Sequence, residues 1–465
     1  MNVWPRPQQL VLLNDYYVIN PNQFNFVTKT KGKCELLDKA INRYKSNTFL
    51  QDCSRLNGIQ PKINNEKYQI NGVNQLMNLT ITINQQCEQH PYINMNEMYR
   101  LSVENNQANI FTESIWGALW GLETFSQLVN QIGVNLFAIN KTLIIDYPRF
   151  THRGVMLDSS RHYIPLKVIY ENLDAMAYNK FNVFHWHIVD DQSFPYVSKK
   201  FPELSLKGAF NPKTHIYTVK QINQVIEYAR ERGIRVLVEF DTPGHTQSWG
   251  KGQPGLLTQC YNGGIPNGNY GPIDPTKDES YTFVEQLFGE VSTVFPDKYF
   301  HVGGDEVDFK CWLSNPNVTS FMKKKHLSDG SKLEEYYIKN ILDIVTKLKK
   351  SYIVWQEVFD NNVTIKQDTV VHVWKGNWDY EMSKVTQANY HAILSSCWYL
   401  NNIVYGTIWP TYYKCDPQNF NGTDAQNKLV LGGEACMWGE WVDGSNLMSR
   451  TWLVIKSCFN KLITN

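Results

Sequence analysis

From Arg153 onward, short apolar runs recur along the chain, and most of them end in polar or aromatic residues. The runs are Gly154–Leu157, Asn182–Ile188, Ile234–Phe240, Tyr299–Val302, Ile353–Trp355, Val370–Trp374, Ala392–Leu394 and Leu429–Gly433. Segments with apolar residues at helical spacing separate several of them: Leu166–Tyr178, Val219–Arg232, Ser280–Val294 and Leu333–Leu348. About eight buried strands alternating with helices constrain the fold to α/β and predict a (β/α)8 TIM barrel. A doubly wound open sheet is the alternative, but no G-x-G-x-x-G follows an early strand.

The part before the barrel is organised differently. Asn78 to Asn84 alternates apolar and polar residues, which predicts a half-buried strand. Thr112 to Asn130 carries Ile115, Leu119, Leu122, Phe125 and Val129 at helical spacing, with Thr112 or Ser114 as its cap. Pro148 and the basic residues after it mark a boundary. The expected organisation is a smaller α+β domain over 1–148 and the barrel over 149–465, a natural partition for 465 residues.

In a TIM barrel the chemistry gathers where strands end. The residues following these runs include Asp158 and Arg161, Asp190 and Asp191, Asp241 and His245, Asp305 and Glu306, and Glu357. Trp374, Trp398 with Tyr399, and Glu434 with Trp438 and Glu440 follow the later runs. The segment from His301 to Glu306 is the most pointed of these, because two glycines lead into two neighbouring carboxylates. Side-by-side carboxylates raise each other's pKa, and a carboxyl kept protonated serves as a general acid. Glycosidic bonds are the commonest target of such a pair.

Each candidate has a plainer reading. Asp190 or Asp191 alone caps a turn as readily as it holds His245 in the pocket. His245, on the Pro243-Gly244 turn, reads either as a solvated loop histidine or as the imidazole beside Glu306. Arg161 reads as a forked hydrogen-bond donor to hydroxyls or as half of an ion pair. Trp355, Trp374 and Trp438 together box a sugar ring, whereas any one alone is ordinary core. His185 and His187 share one strand face, as in metal-dependent amidohydrolases. The expected reading is packed barrel histidines with no metal, because His301 and His372 lie too deep to complete such a site.

Composition narrows the function. The formal net charge is +1 with 19 % charged residues, which gives no reason to expect nucleic acid or an anionic membrane surface as partner. No stretch approaches the roughly 20 apolar residues of a membrane span. Met1 to Leu13 shows no basic region followed by an apolar run, so no signal peptide is visible. The nine cysteines contain no C-x-x-C pair, and an odd number leaves at least one unpaired. Asn78, Asn140, Asn317, Asn362 and Asn421 each begin a glycosylation sequon, in a number that the Asn-rich composition alone would give.

Several long motifs carry a resemblance. They are Arg153–Tyr163 (RGVMLDSSRHY), Phe184–Pro195 (FHWHIVDDQSFP), DTPGH at 241–245, HVGGDE at 301–306, and GEACMWGE at 433–440. With Trp116–Leu128 in the smaller domain, they are similar to β-N-acetylhexosaminidases of glycoside hydrolase family 20. Within that family they resemble the lysosomal hexosaminidase subunits of eukaryotes. The likeness runs over nearly the whole chain from Trp4.

The resemblance implies an exo-acting enzyme that hydrolyses terminal non-reducing GlcNAc or GalNAc by substrate-assisted retention, without a cofactor. Glu306 is then the acid and base, Asp305 orients the 2-acetamido group, and Asp190 with His245 forms the pair behind the acid. Arg161 and Glu440 hold sugar hydroxyls, Tyr399 the acetamido oxygen, and Trp355, Trp374 and Trp438 wall the pocket. Disulfides Cys34–Cys87 and Cys260–Cys311, a lysosomal or secreted location and a homodimer are implied in the same way. Asn401 and Asn402 stand where neutral-substrate subunits carry Asp-Leu and anionic-substrate subunits carry Asn-Arg. The first position is therefore of the anionic type while the arginine is absent. After Arg450 the likeness fades, so an incomplete last barrel helix is expected. A catalytically inactive glycan-binding homologue is the alternative reading.

Overall fold

The computed structural model describes residues 3–49, 74–454 and 462. Its larger part is a closed barrel of eight parallel strands whose order in space follows the chain. The strands are His152–Asp158, Val183–His187, Arg235–Glu239, Tyr299–His301, Ser351–Trp355, Val370–Val373, His391–Leu394 and Val430–Met437. Met437 pairs with Leu157, which closes the eighth strand on the first. All eight apolar runs are therefore strands, and the four helical segments are helices: Leu166–Tyr178, Val219–Arg230, Asp278–Val294 and Gly330–Lys347. Strand residues facing outward, such as Val155, Phe184, Val236 and Val354, join these helices in one large core.

Two expectations need correction. Glu434 does not follow the last run, because the eighth strand continues through Met437 and carries Glu434 into the barrel interior, fully buried. Trp398 does not face the mouth either. It is buried in the core, and its indole N–H donates to the Tyr412 carbonyl at 3.1 Å.

The smaller part is a seven-stranded mixed sheet with two helices, Glu35–Thr48 and Ile115–Leu128, packed together beside it. The strand over Asn78–Ile83 alternates half-buried and buried residues as its sequence predicts. Ser114, not Thr112, caps the second helix by accepting from the Trp116 and Gly117 amides. This part is bolted to the barrel by a buried ion pair. Arg153 on the first barrel strand donates to Glu97 Oε1 at 2.5 Å and Oε2 at 3.1 Å, and Glu97 also takes the Trp120 indole N–H.

Disulfides join Cys34 to Cys87, Cys260 to Cys311 and Cys397 to Cys415. The last of these is not legible from cysteine spacing. Cys436 is unpaired and buried, while Cys53 and Cys458 lie outside the described residues. The helix Leu447–Val454 packs on Leu166–Tyr178, and Trp452 donates to Asn172. The expectation of an incomplete last helix falls mostly on 455–465, outside the described residues but for Leu462. No described helix is long and apolar enough to cross a membrane.

Candidate active site

The carboxyl-terminal ends of the strands bring the acidic residues together. His245 stands at their centre. Its Nδ1 lies 3.2 Å from Asp190, and its Nε2 lies 3.5 Å from Glu306, 3.7 Å from Asp305 and 4.0 Å from Asp241. The local backbone is built for this crowding. Gly303 has φ +70°, and a Cβ there would sit 1.6 Å from Asp241 Oδ1. The neighbouring Gly304 amide donates to that same oxygen at 2.8 Å. Any side chain at 303 would displace Asp241, so glycine is required there. His245 and Glu306 themselves adopt left-handed backbone, at φ +54° and +50°. Such strain in non-glycine residues, of order 1–3 kcal/mol each, gathers where side chains must be aimed.

The two neighbouring acids occupy different surroundings. The Asp305 side chain is 9 % exposed and that of Glu306 58 %. The expectation that adjacency raises Glu306 is not met. The His245 imidazole 3.5 Å away holds it below the ordinary carboxylate value. The like-charge neighbour of Asp305 is instead Asp241, whose carboxyl is pushed well up by burial and then by Asp305. Burial opposes a charge on His245, but Asp305 and Asp241 outweigh it and hold the imidazole well above its usual value.

Arg161 is fixed by its own turn. Asp158 accepts from the Ser160, Arg161 and Gly439 amides and from the Arg161 guanidinium, at 2.9–3.1 Å. The guanidinium also reaches Asp190 at 3.1 Å and lies over the Trp438 ring at 4.8 Å. The ion-pair reading of Arg161 is therefore met, and its guanidinium remains partly exposed at the mouth.

The aromatic residues also converge. Trp374 stacks on Tyr399 at 5.8 Å between ring centres, and Trp355 packs edge-on to Trp374 at 6.3 Å and against Trp438 at 6.0 Å. Trp355 is buried and donates its N–H to Glu239, so it forms floor more than wall. Tyr399 Oη, Asn401 Oδ1 and Asp305 Oδ1 are buried without a hydrogen-bond partner among the described residues. Glu440 is exposed at the rim, where it adds negative charge near Arg161.

His185 and His187 face the barrel interior, and each is engaged by carboxylates. His185 meets Glu434 and Glu239, and His187 meets Glu239 and Asp190. Glu239 was the residue hardest to find in the sequence. The only signal is one carboxylate inside the apolar run Ile234–Phe240. Glu357, which takes the Trp374 N–H at 2.7 Å and pairs with Lys375, holds the aromatic wall from behind.

Behind Glu357, Glu334 is fully buried, and burial pushes its carboxyl up to about 8 despite a hydrogen bond from Asn361. The folded chain thus keeps a proton that the unfolded chain releases above its ordinary carboxylate pKa. Stability from this group is complete at acid pH and falls as pH rises toward 8. Thermal melts of Glu334→Gln are expected to depend less on pH between 5 and 8 than those of the unsubstituted chain. Equal pH dependence would refute the assignment.

A closed barrel with an acid pair, an imidazole and an aromatic box at its mouth defines a glycoside hydrolase. Residues 150–454 match the model of the glycosyl hydrolase family 20 catalytic domain, and residues 3–128 match that described as beta-acetyl hexosaminidase like. The chain belongs to glycosyl hydrolase family 20. It is 51 % identical over 459 residues to beta-hexosaminidase subunit alpha of Rattus norvegicus, covering 97 % of this chain and 85 % of that one. Identity to beta-hexosaminidase subunit beta of Homo sapiens is 47 % over 458 residues, covering 97 % and 81 %. Among solved structures, the chitobiase of Flavobacterium johnsoniae superposes with a TM-score of 0.84 at 29 % identity, covering 100 % of this chain and 69 % of that one.

Proposed function

We propose that this chain is an exo-acting β-N-acetylhexosaminidase that releases terminal non-reducing GlcNAc or GalNAc from glycoconjugates by substrate-assisted retention. One observation carries the reading: His245 lies between a nearly buried Asp305 and a half-exposed Glu306. The two acids are thereby given different tasks.

In the free enzyme the proton rests on His245, beside an ionised Glu306. When a sugar excludes water from the mouth, the charged pair loses solvation and the proton passes to Glu306. Glu306 then protonates the departing oxygen. The substrate's acetamido carbonyl oxygen attacks C1 and forms an oxazolinium ion. Asp305 accepts the acetamido N–H and stabilises the developing positive charge. Tyr399 donates to the attacking carbonyl oxygen. Water then adds to C1 with Glu306 taking its proton, the C1 bond to the acetamido oxygen breaks to regenerate the acetamido group, and the starting configuration is restored. The unpartnered polar atoms of Asp305 and Tyr399 support these roles.

Asp190 orients His245, and Arg161, Asn401 and Glu440 take sugar hydroxyls. Trp374 and Trp438 wall the ring, with Trp355 beneath. Glycosylation of Asn317, Asn362 and Asn421, all exposed, and of the half-exposed Asn78 and Asn140 belongs to the same proposal. So do a homodimer and a lysosomal or secreted location, which the three disulfides support.

The deciding experiment compares the 4-nitrophenyl β-glycosides of GlcNAc and of glucose. Only the former carries the internal nucleophile, and well-placed intramolecular groups reach effective molarities of about 10⁵ M or more. A preference for the GlcNAc glycoside of about 10³-fold or greater in kcat/KM is expected. Comparable rates would exclude substrate assistance, and sugar binding without turnover would favour an inactive glycan-binding protein.

A further inference from the structure

Behind Asp190 the barrel interior holds a second tier of charge that the proposed chemistry leaves unused. It begins on the eighth strand, where Glu434 meets His152 Nε2 at 2.8 Å and His185 Nδ1 at 2.5 Å. His185 Nε2 lies 3.0 Å from Glu239 Oε2. The same oxygen accepts from His187 Nδ1 at 2.6 Å, and His187 Nε2 reaches Asp190 Oδ2 at 2.6 Å. The other Asp190 oxygen meets His245, which meets Glu306. Carboxylates and imidazoles thus alternate from Glu434 to the half-exposed acid, joined by hydrogen bonds except at His185 Nε2 and His245 Nε2, which stand within ion-pair distance of Glu239 and Glu306.

The order of this chain fixes its protonation. A histidine with both ring nitrogens against carboxylate oxygens donates from both only as imidazolium. Burial opposes that charge on His187, but Glu239 and Asp190 outweigh it and hold its pKa up to about 10. Asp190 therefore faces a permanent cation on one oxygen, with Arg161 at 3.1 Å as a second. Its remaining oxygen is aimed at His245. Glu239 is steadied in turn by the Trp355 N–H at 2.7 Å and by His301 at 3.2 Å. The Trp438 ring closes the other side of His187, with ring centres 4.8 Å apart. Barrel interiors are ordinarily filled by branched apolar residues, and buried ion pairs seldom add stability over such filling. Space-filling alone does not account for an alternating chain that ends on the acid.

We infer that Glu239 and His187 are positioning residues that act through Asp190: they set the charge of His245 and so govern how readily Glu306 surrenders and regains its proton. This rests on the assignment of Glu306 as the acid. The groups facing His245 are Asp190, Asp241, Asp305 and Glu306, and those acting on Glu306 are His245, Arg161 and Lys375.

The test compares Glu239→Gln and His187→Gln with the unsubstituted enzyme across the pH profile of kcat/KM. Glu239→Gln removes a buried negative charge, so the His245–Glu306 pair holds its proton less tightly. Its basic limb is expected about one pH unit lower. His187→Gln removes a buried positive charge, so its basic limb is expected to move up by about as much. Both variants should also lose at least about tenfold more activity on a methyl GlcNAc glycoside than on a 2,4-dinitrophenyl one, whose leaving group needs no proton.

Circular dichroism reports whether each variant folds. Should Glu239→Gln fail to fold, the direction of the His187→Gln shift and a wild-type basic limb in Glu239→Asp decide the matter. Unmoved limbs, shifts of one sign in both variants, or equal losses on the two glycosides would overturn the inference. If the unsubstituted enzyme does not hydrolyse GlcNAc glycosides at all, the fault lies with the proposed function. If it does and the limbs stay put, only the positioning role falls.

Discussion

Replacing Glu306 with glutamine is expected to lower kcat/KM on an alkyl or sugar GlcNAc glycoside by about 10²–10⁴-fold, the usual contribution of a positioned general acid. Glutamine keeps the size of the side chain and the left-handed backbone that Glu306 already adopts. Because the side chain is 58 % exposed, the melting temperature should hardly change. The defect is therefore chemical and is read by steady-state kinetics alongside a thermal melt. A glycoside with a strongly acidic leaving group should be cleaved with a smaller loss in the first step, since it departs unaided. Turnover unchanged on every substrate would remove Glu306 from the mechanism.

The second large effect concerns stability. Glu97→Ala is expected to cost about 3–5 kcal/mol, because it strands the Arg153 guanidinium inside the protein. Arg153 is 1 % exposed, and among the described residues only the carbonyls of Phe150 and Lys180 would remain to accept from its guanidinium. The Trp120 indole N–H would lose its acceptor as well. An unfolding free energy from urea melts lowered by less than about 1 kcal/mol would mean that the domain junction is not held here.

How much of this was legible depended on where partners lie. Apolar runs such as Ile353–Trp355 marked the strands because burial on both sides leaves a local signature. Asp305, Glu306 and His245 were legible because they follow such runs closely. Glu434 was misplaced because a carboxylate inside a strand looks like the strand's end; its partners, His152 and His185, lie on other strands. Glu239 was missed for the same reason. Glu306 was expected to be raised by Asp305, its neighbour in sequence. In space its nearer influence is His245, sixty-one positions earlier in the chain. Pairing of this kind is a property of the closed barrel and has no local pattern. The Cys397–Cys415 bridge was illegible likewise, since spacing does not choose among nine cysteines.

That bridge divides one segment into a tethered base and an exposed arc. It ties off a segment of 18 positions at its base, next to Tyr399 and Asn401, while Tyr405, 96 % exposed, and Trp409 stand on the outer arc. Tyr412, further along the same segment, donates its hydroxyl to the Tyr399 carbonyl at 3.1 Å and so helps the bridge hold that base in place, whereas Tyr405 projects away from it.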